Sequence, residues 1–166
     1  MWGNDTIGVM VEFVVVTEIA APPARVWRAL CDPVEVVVWD TGVEGALDAP
    51  PDYPRPGQHV RWRYRGGMFR LLHDRPQEVV EERTLRSLLA VGPWRFDETY
   101  TLAAADAGTR TRLLTHMVVG AVPVLGEAVV RRYVAPQAER AVWASMRALK
   151  RHCEANVTPN DQGGQV

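Results

Sequence analysis

The fold of this chain is decided by the stretch VMVEFVVVTEIAAPPARVWRALC, residues Val9–Cys31. From Val11 to Ile19 its odd positions are apolar apart from one threonine, while the carboxylates Glu12 and Glu18 fall on even positions. Successive side chains of a strand point to opposite faces, so this pattern predicts a half-buried β-strand with its odd positions turned inward.

A short helix is expected directly after this strand. Pro22 and Pro23 end the strand and suit the first turn of a helix over Ala24–Cys31. Asp32-Pro33 should end that helix. The apolar segment Val34–Trp39 then forms either a second short helix or a buried apolar turn.

The middle of the chain opens with irregular sequence. The segment Thr41–Gly57 contains four prolines and little periodicity, which predicts a weak edge strand and a loop. Gln58–Arg65 alternates cleanly, with Trp62 and Tyr64 on the face opposite the arginines.

Gly66-Gly67 has the composition of a two-residue hairpin turn, because glycine tolerates positive φ. Such a turn pairs Tyr64 with Phe69. It places Phe69, His73 and Arg75 on the same inward face as Tyr64, and so brings an imidazole and a guanidinium to the apolar side of the sheet.

Later segments repeat the strand pattern. Four more strands are predicted, over Gln77–Glu82, Ser87–Val91, Trp94–Ala103 and Thr109–Val119. In the third of these, Glu98 shares a face with the aromatic residues Phe96 and Tyr100. In the fourth, Thr115 lies on the inward face, because Arg110 and Arg112 mark the outward one.

A long helical segment closes the chain at about Pro123–Glu154, and Val142 and Met146 belong to its apolar stripe. Pro136 should kink this helix or split it. The order of elements predicts an α+β fold, in which a curved antiparallel sheet of about seven strands surrounds a long, kinked C-terminal helix. A cavity is expected between helix and sheet.

Composition narrows the function. The 166 residues suggest a single domain over residues 9–155, with disordered ends over residues 1–8 and 156–166. The formal net charge of −1 gives no electrostatic reason to expect nucleic acid as a partner. No apolar run reaches the ~20 residues of a membrane span, and no secretion signal is evident, so a cytoplasmic location is expected.

No motif for a nucleotide, a catalytic serine or a metal ion occurs in the sequence. The two cysteines, Cys31 and Cys153, are expected to be free thiols, because neither belongs to a CxxC pair or has a histidine at ligand spacing. The pattern therefore favours a pocket that works without a cofactor or a metal.

The opening run EIAAPPARVWRALCDPVEVVVWD resembles the start of the START-like helix-grip superfamily, particularly its polyketide cyclase/dehydrase and lipid-transport branch. The positions that carry this likeness are Ile19, Ala21, Pro22, Val26, Trp27, Asp32 and Trp39. The segment DAGTRTRLLTH (Asp106–His116) resembles the opening of the last strand in that family. The likeness extends over roughly Val11–Glu154.

The resemblance implies a function. Aromatase/cyclase members of the family use a cavity arginine, with Trp and Tyr, to hold a poly-β-ketone and promote aldol closure and dehydration. Trp39 matches the cavity tryptophan, and Arg75 lies near the position of the arginine. The same fold also hosts lipid carriers, hormone receptors and co-chaperones.

The first functional hypothesis is a cofactor-independent cyclase or dehydratase that acts on a polyketide-like apolar intermediate. The expected catalytic residues are His73, Glu98, Arg75 and Tyr64. The expected ligand-binding residues are Trp39, Trp62, Phe69, Phe96, Tyr100, Thr115, Val142 and Met146. His73 and Glu98 would move protons, and Arg75 or Tyr64 would stabilise an enolate.

Blander interpretations stand beside these. His73 could be a solvated strand-end histidine, Arg75 a surface residue, and Glu98 a structural ion pair. The rival function is a non-catalytic protein that binds or carries a hydrophobic ligand. A third possibility is a scaffold that docks an acyl carrier protein through an outward arginine face, although a solvated sheet surface explains that face first. The arginine face comprises Arg61, Arg63, Arg65, Arg110 and Arg112.

Overall fold

The computed structural model describes residues 11–65, 67–121 and 126–155. Its strands are β1 (Val11–Ile19), β2 (Val43–Ala46), β3 (Val60–Tyr64), β4 (Leu71–Val80), β5 (Thr84–Val91), β6 (Trp94–Ala105) and β7 (Arg110–Ala121). Its helices are α1 (Pro23–Cys31), α2 (Pro33–Trp39), α3 (Glu127–Val129) and α4 (Ala135–Ala155). The ends predicted to be disordered, residues 1–8 and 156–166, lie outside the described residues.

All the described strands belong to one antiparallel sheet with the order β1-β7-β6-β5-β4-β3-β2. Each strand from β2 to β6 pairs with the next one along the chain, and β1 pairs with β7. The helix α4 packs on the inward face through a stripe of buried side chains: Ala135, Val142, Met146, Leu149 and Cys153. The predicted α+β architecture, a curved sheet around a C-terminal helix, is confirmed.

The inward faces of the longest strands agree with the alternation in the sequence. In β1, Val15 and Ile19 are fully buried, whereas the even positions are exposed. In β7, Thr111, Leu113 and Thr115 are fully buried. Charged residues on alternate positions of these strands fix which side faces the core, because a one-residue shift would bury them.

Two helices follow β1, so the segment Val34–Trp39, for which the sequence left a short helix or a buried turn open, is a helix. The segment after Asp32 is helical, and the Asp32 carboxylate accepts a hydrogen bond from the backbone N–H of Val34 at 2.9 Å. Asp32 therefore ends α1 and caps α2. Val36 and Trp39 are the buried residues of α2.

The C-terminal helical segment passes through a wider turn before α4. Residues Val130–Val134 form a π-helical turn between α3 and α4. This turn ends two residues before Pro136, which has no N–H to donate to the α-helical ladder. The helical segment therefore changes from π-helical to α-helical geometry directly before the proline. The predicted start of this helix, Pro123, lies outside the described residues.

The predicted register of the β3–β4 hairpin is wrong. Trp62 lies opposite Leu72, Arg61 lies opposite His73, and Val60 lies opposite Asp74. The backbone N–H of Tyr64 donates to the carbonyl of Arg70, so the connection between the two strands is longer than two residues. The expected two-residue turn at Gly66-Gly67 was too short. Because side chains alternate with period two, the resulting shift by one residue moves every side chain of β4 to the other face.

The strand boundaries in this region also differ from the prediction. The expected separate strands around His73 and over Gln77–Glu82 form one continuous strand, β4, with an irregularity in its pairing between Pro76 and Glu78. Among the described helices, none combines the length and the apolarity that a membrane crossing requires.

Candidate functional site

A cavity of about 370 Å³ lies between α4 and the inward face of the sheet. This volume falls within the range of small-molecule sites. Eight of the residues expected at the site lie together in its wall: Trp39, Trp62, Tyr64, Phe96, Glu98, Tyr100, Val142 and Met146. The sheet supplies most of the aromatic rings, and α4 supplies the aliphatic side.

Trp39 is the last residue of α2, and its side chain lines the cavity. Its indole N–H donates to the carbonyl of Ala29 in α1 at 2.8 Å, and the side chain is buried. This hydrogen bond satisfies the one polar atom of the side chain. The indole is therefore fixed in orientation, and its ring can serve as a rigid wall.

Glu98 lies deep in the cavity on β6, between Phe96 and Tyr100. Its pKa is raised to about 8, chiefly by burial, with the nearby carboxyls of Asp40 and Asp74 acting in the same direction and a hydrogen bond with Tyr100 opposing the rise. At neutral pH the protonated, neutral acid is therefore the main form. Such a group can donate a proton to a ligand, as a general acid does.

Asp74 faces the cavity from β4 and has only 5% of its surface exposed. Its Oδ2 accepts hydrogen bonds from the Tyr53 hydroxyl at 2.7 Å and from the indole N–H of Trp62 at 3.3 Å. Burial raises the pKa of this carboxyl, and the Tyr53, Ser87 and Trp62 side chains oppose the rise. Oδ1 of this carboxyl is buried, and no hydrogen bond of good geometry reaches it from the described residues.

Asp40 is the third carboxyl of the cavity and follows directly after α2. Its Oδ1 accepts the backbone N–H of Gly42 at 2.8 Å and the hydroxyl of Ser145, on α4, at 3.4 Å. Burial raises the pKa of Asp40. A side chain at Gly42 would lie 3.1 Å from the ring of Tyr64, so the glycine allows Tyr64 to pack close to Asp40.

Tyr53 comes from the proline-rich loop between β2 and β3. Its ring meets that of Trp62 edge to face, with centroids 5.9 Å apart and an angle of 72° between the planes. Burial raises the pKa of Tyr53 well above its usual value, and Asp74 raises it further. Tyr53 therefore remains a neutral hydrogen-bond donor at any working pH.

His73 and Arg75 do not reach the cavity, because of the corrected register of β4. They alternate with Leu72 and Asp74, which line it. On the opposite side of the sheet, Nδ1 of His73 lies 2.9 Å from Nε2 of His59, and the two rings are stacked. The expected inward position of His73 and Arg75 is thus wrong, and Asp74 occupies the place predicted for them.

Phe69 and Thr115 are also absent from the cavity wall. Phe69 belongs to the β3–β4 connection, and its ring packs so closely over Gly92 that a Cβ there would lie 2.5 Å from ring carbons. Thr115 faces inward on β7 as predicted, but it lies beneath α4 and donates its hydroxyl to the sulfur of Met146 at 3.1 Å. It supports a wall residue instead of contacting the cavity.

Three functional candidates were missed by sequence reasoning: Asp40, Tyr53 and Asp74. Asp74 carried a usable signal, since the even positions around it, Leu72 and Pro76, are more apolar than the odd ones. Tyr53 lies in a loop without periodicity, and its role depends on a contact with a strand that lies 21 positions along the chain. No local pattern marks such a residue.

The outward arginine face behaves as a solvated surface. Four of its five members form ion pairs within the described residues, namely Arg61 with Asp48, Arg65 with Glu44, Arg110 with Asp106 and Arg112 with Glu18. These pairs neutralise much of the positive charge of the face, in keeping with the expectation from the sequence.

An antiparallel sheet wrapped around a long C-terminal helix, with an aromatic and acidic cavity between them, defines a START-like helix-grip protein. The chain belongs to the polyketide cyclase/dehydrase and lipid transport family, whose model matches residues 10–154. No curated protein matches the sequence.

Solved structures show the same fold. The Zhui aromatase/cyclase from Streptomyces sp. R1128 has a TM-score of 0.72 at 18% identity, with 91% of this chain and 98% of that chain covered. Ara h 8.0201 has a TM-score of 0.71 at 13% identity, covering 89% and 100%. Protein MLL2253 from Mesorhizobium loti has a TM-score of 0.69 at 19% identity, covering 89% and 100%.

Proposed function

We propose that this protein is a cofactor-independent enzyme of the cyclase/dehydratase type, acting on a polyketide-like apolar natural-product intermediate. The observation that carries the proposal is Glu98, a carboxylic acid held mainly protonated at neutral pH and hydrogen-bonded to Tyr100 inside an aromatic cavity. A carrier needs no such acid, whereas dehydration requires a proton donor for the departing hydroxyl.

The cavity residues suggest the roles in a dehydration. Asp40, whose buried carboxylate is a stronger base than an exposed one, takes a proton from the carbon next to a carbonyl. Tyr64 lies beside it and donates a hydrogen bond to the enolate oxygen. Glu98 then protonates the hydroxyl on the neighbouring carbon. The C–O bond breaks, water leaves, and a C=C bond forms.

The aromatic walls contribute positioning. Trp39 is fixed by its hydrogen bond to Ala29, and Trp62 is fixed by Asp74 and by the ring of Tyr53. Rigid flat walls hold a flexible chain in a folded, reactive conformer, which lowers the entropic part of the barrier. The net reaction needs no oxidant or reductant.

The second candidate is a protein that binds or transports a hydrophobic ligand unchanged. The aliphatic part of the wall favours it, since this part could hold any apolar molecule. Its main members are Leu72, Leu85, Leu89, Val91, Val142 and Met146.

Native mass spectrometry of protein purified from its own host separates the two functions. The comparison uses the wild type, Glu98→Gln and the control Asp97→Asn, whose position is next to Glu98 on β6 but pairs outward with Arg86 at 2.6 Å. An enzyme releases a molecule lighter by one water from the wild type and the control, while Glu98→Gln retains the hydrated form. The same unaltered molecule in all three proteins would indicate the carrier.

A further inference from the structure

The charge inside the cavity is unbalanced. Three carboxyls, those of Asp40, Asp74 and Glu98, belong to its wall. Among the described residues of that wall, the one guanidinium is that of Arg65, which is exposed and lies 3.6 Å from the carboxylate of Glu44. Because Glu98 is mainly neutral at neutral pH, the negative charge of the interior comes from Asp40 and Asp74, and the described wall residues provide no internal cation to match it.

Asp74 carries a second, independent sign of a missing partner. Tyr53 and Trp62 both donate to Oδ2, and the Ser87 hydroxyl is a further hydrogen-bonding neighbour of this carboxyl. Oδ1 of the same carboxyl is buried and makes no hydrogen bond within the described residues. A buried carboxylate oxygen without a donor is costly, so a side chain 95% buried is not expected to keep one idle. A ligand N–H in the cavity would satisfy it.

The aromatic walls next to Asp74 suit a cation as well as an apolar skeleton. Trp62 and Tyr53 flank the carboxyl, and Tyr100 lines the same space. The faces of such rings carry negative potential and attract organic cations. By contrast, a ligand carboxylate or a persistent enolate would meet three carboxyls and, among the described wall residues, no internal guanidinium.

We infer that the ligand of this cavity is an apolar molecule with a basic nitrogen, bound as its ammonium ion with an N–H directed at Oδ1 of Asp74. This inference rests on the proposed function in one respect, since the inference and the proposed function place the ligand in the same cavity. The cation is organic, because no group of three or more His, Cys, Asp or Glu side chains among the described residues is placed to hold a metal ion.

The proton balance of binding follows from the state of the acids. Glu98 is faced by Tyr100 on its own strand, by Asp40 after α2, by Asp74 on β4 and by Tyr53 from the β2–β3 loop. Of the described residues of α4 that line the cavity, none is ionisable. An ammonium ion that enters this set of groups favours the ionised form of the carboxyls. A carboxyl that was protonated before binding, above all that of Glu98, therefore releases its proton to solvent. Affinity for an amine should therefore rise with pH, by up to about tenfold per pH unit below the pKa of that acid.

A matched pair of probes tests this inference. The amine 2-naphthylethylamine and the alcohol 2-naphthylethanol share one skeleton and differ in charge. Their binding to the full chain is measured by titration calorimetry between pH 6.5 and 8.5, in buffers of different ionisation enthalpy. Two variants are compared with the wild type. Asp74→Asn replaces the carboxyl by an isosteric, uncharged amide, and Asp97→Asn is the control, at an outward position on β6.

The expected result is a preference for the amine of about tenfold or more at pH 8.5, since one charge-assisted contact in a buried site is worth at least that factor. The preference falls with decreasing pH, is lost in Asp74→Asn and is kept in Asp97→Asn. Proton release accompanies binding of the amine alone.

Equal affinity for the two probes, tighter binding of the alcohol, or no binding of the amine up to its solubility limit would overturn the inference. So would an amine preference that survives Asp74→Asn. None of these results bears on the native mass comparison of the wild type with Glu98→Gln, so the proposed reaction stands or falls by that separate experiment.

Discussion

Replacing Glu98 by glutamine should change how the stability of this protein depends on pH. Glutamine has the shape of the protonated acid but cannot ionise. In the wild type, burial raises the pKa of Glu98 from 4.5 to about 8. Below pH 4.5 the acid is protonated in both the folded and the unfolded chain. Between these two values the unfolded chain releases the proton and the folded chain keeps it, so the wild type loses stability as pH rises.

The magnitude follows from the width of that window. At about 1.4 kcal/mol per pH unit, the interval from 4.5 to about 8 corresponds to a free energy on the order of 5 kcal/mol. Water that enters the cavity solvates the carboxylate and reduces this penalty. We therefore expect Glu98→Gln to match the wild type within about 1 kcal/mol at pH 5 and to exceed it by about 2 to 5 kcal/mol at pH 9.

The assay is denaturant unfolding at half-unit steps from pH 5 to pH 9, followed by tryptophan fluorescence. Asp97→Asn serves as the control, because its carboxylate pairs outward with Arg86. Its difference from the wild type should stay flat over this range. A Glu98→Gln difference that is independent of pH, or that favours the wild type at pH 9, would refute the idea that Glu98 is held protonated by burial.

Two further substitutions test how the scaffold holds the cavity. The buried Thr111 donates its hydroxyl to the carbonyl of Ala21 at 2.7 Å, so Thr111→Val should lower the free energy of unfolding by about 1–3 kcal/mol, whereas Thr101→Val, at an exposed position, should change it by less than about 0.5 kcal/mol. Gly92 has a φ of +54° and the ring of Phe69 beside it, so Gly92→Ala should lower the free energy of unfolding by about 2 kcal/mol or more, as measured by thermal unfolding. Unchanged stability in Thr111→Val or in Gly92→Ala would contradict the packing described for that residue.

Much of the fold was predictable from local patterns. The long strands β1 and β7 alternate over many residues and carry their charges on one face, and β6 alternates aromatic with polar positions, so the orientation of these strands is fixed before any contact is known. Glu98 was placed in the cavity for this reason, between two aromatic neighbours on the same face. The prolines on either side of α1, namely Pro22 and Pro23 before it and Pro33 after it, likewise predicted its limits closely.

The site was predicted less well, because it depends on one hairpin. The strand β4 has ionisable residues on both faces, Asp74 on one and Arg75 on the other, so charge alone does not exclude a shift of one residue. Gly67 adopts a φ of +57°, but positive φ suits both a two-residue turn and a longer connection. The choice between them decided whether His73 or Asp74 faces the ligand.

The sequence by itself determined the class of fold, the inward faces of the long strands and the presence of an acid among aromatic rings. These properties follow from the period of side-chain alternation and from prolines, which act over a few residues. Only the tertiary structure decided that Asp40, Asp74 and Glu98 share one cavity, in which the exposed Arg65 is the one cationic side chain among the described wall residues. These three residues lie on different elements far apart in the chain. Their shared environment depends on strand register and on helix packing, which local pattern does not specify.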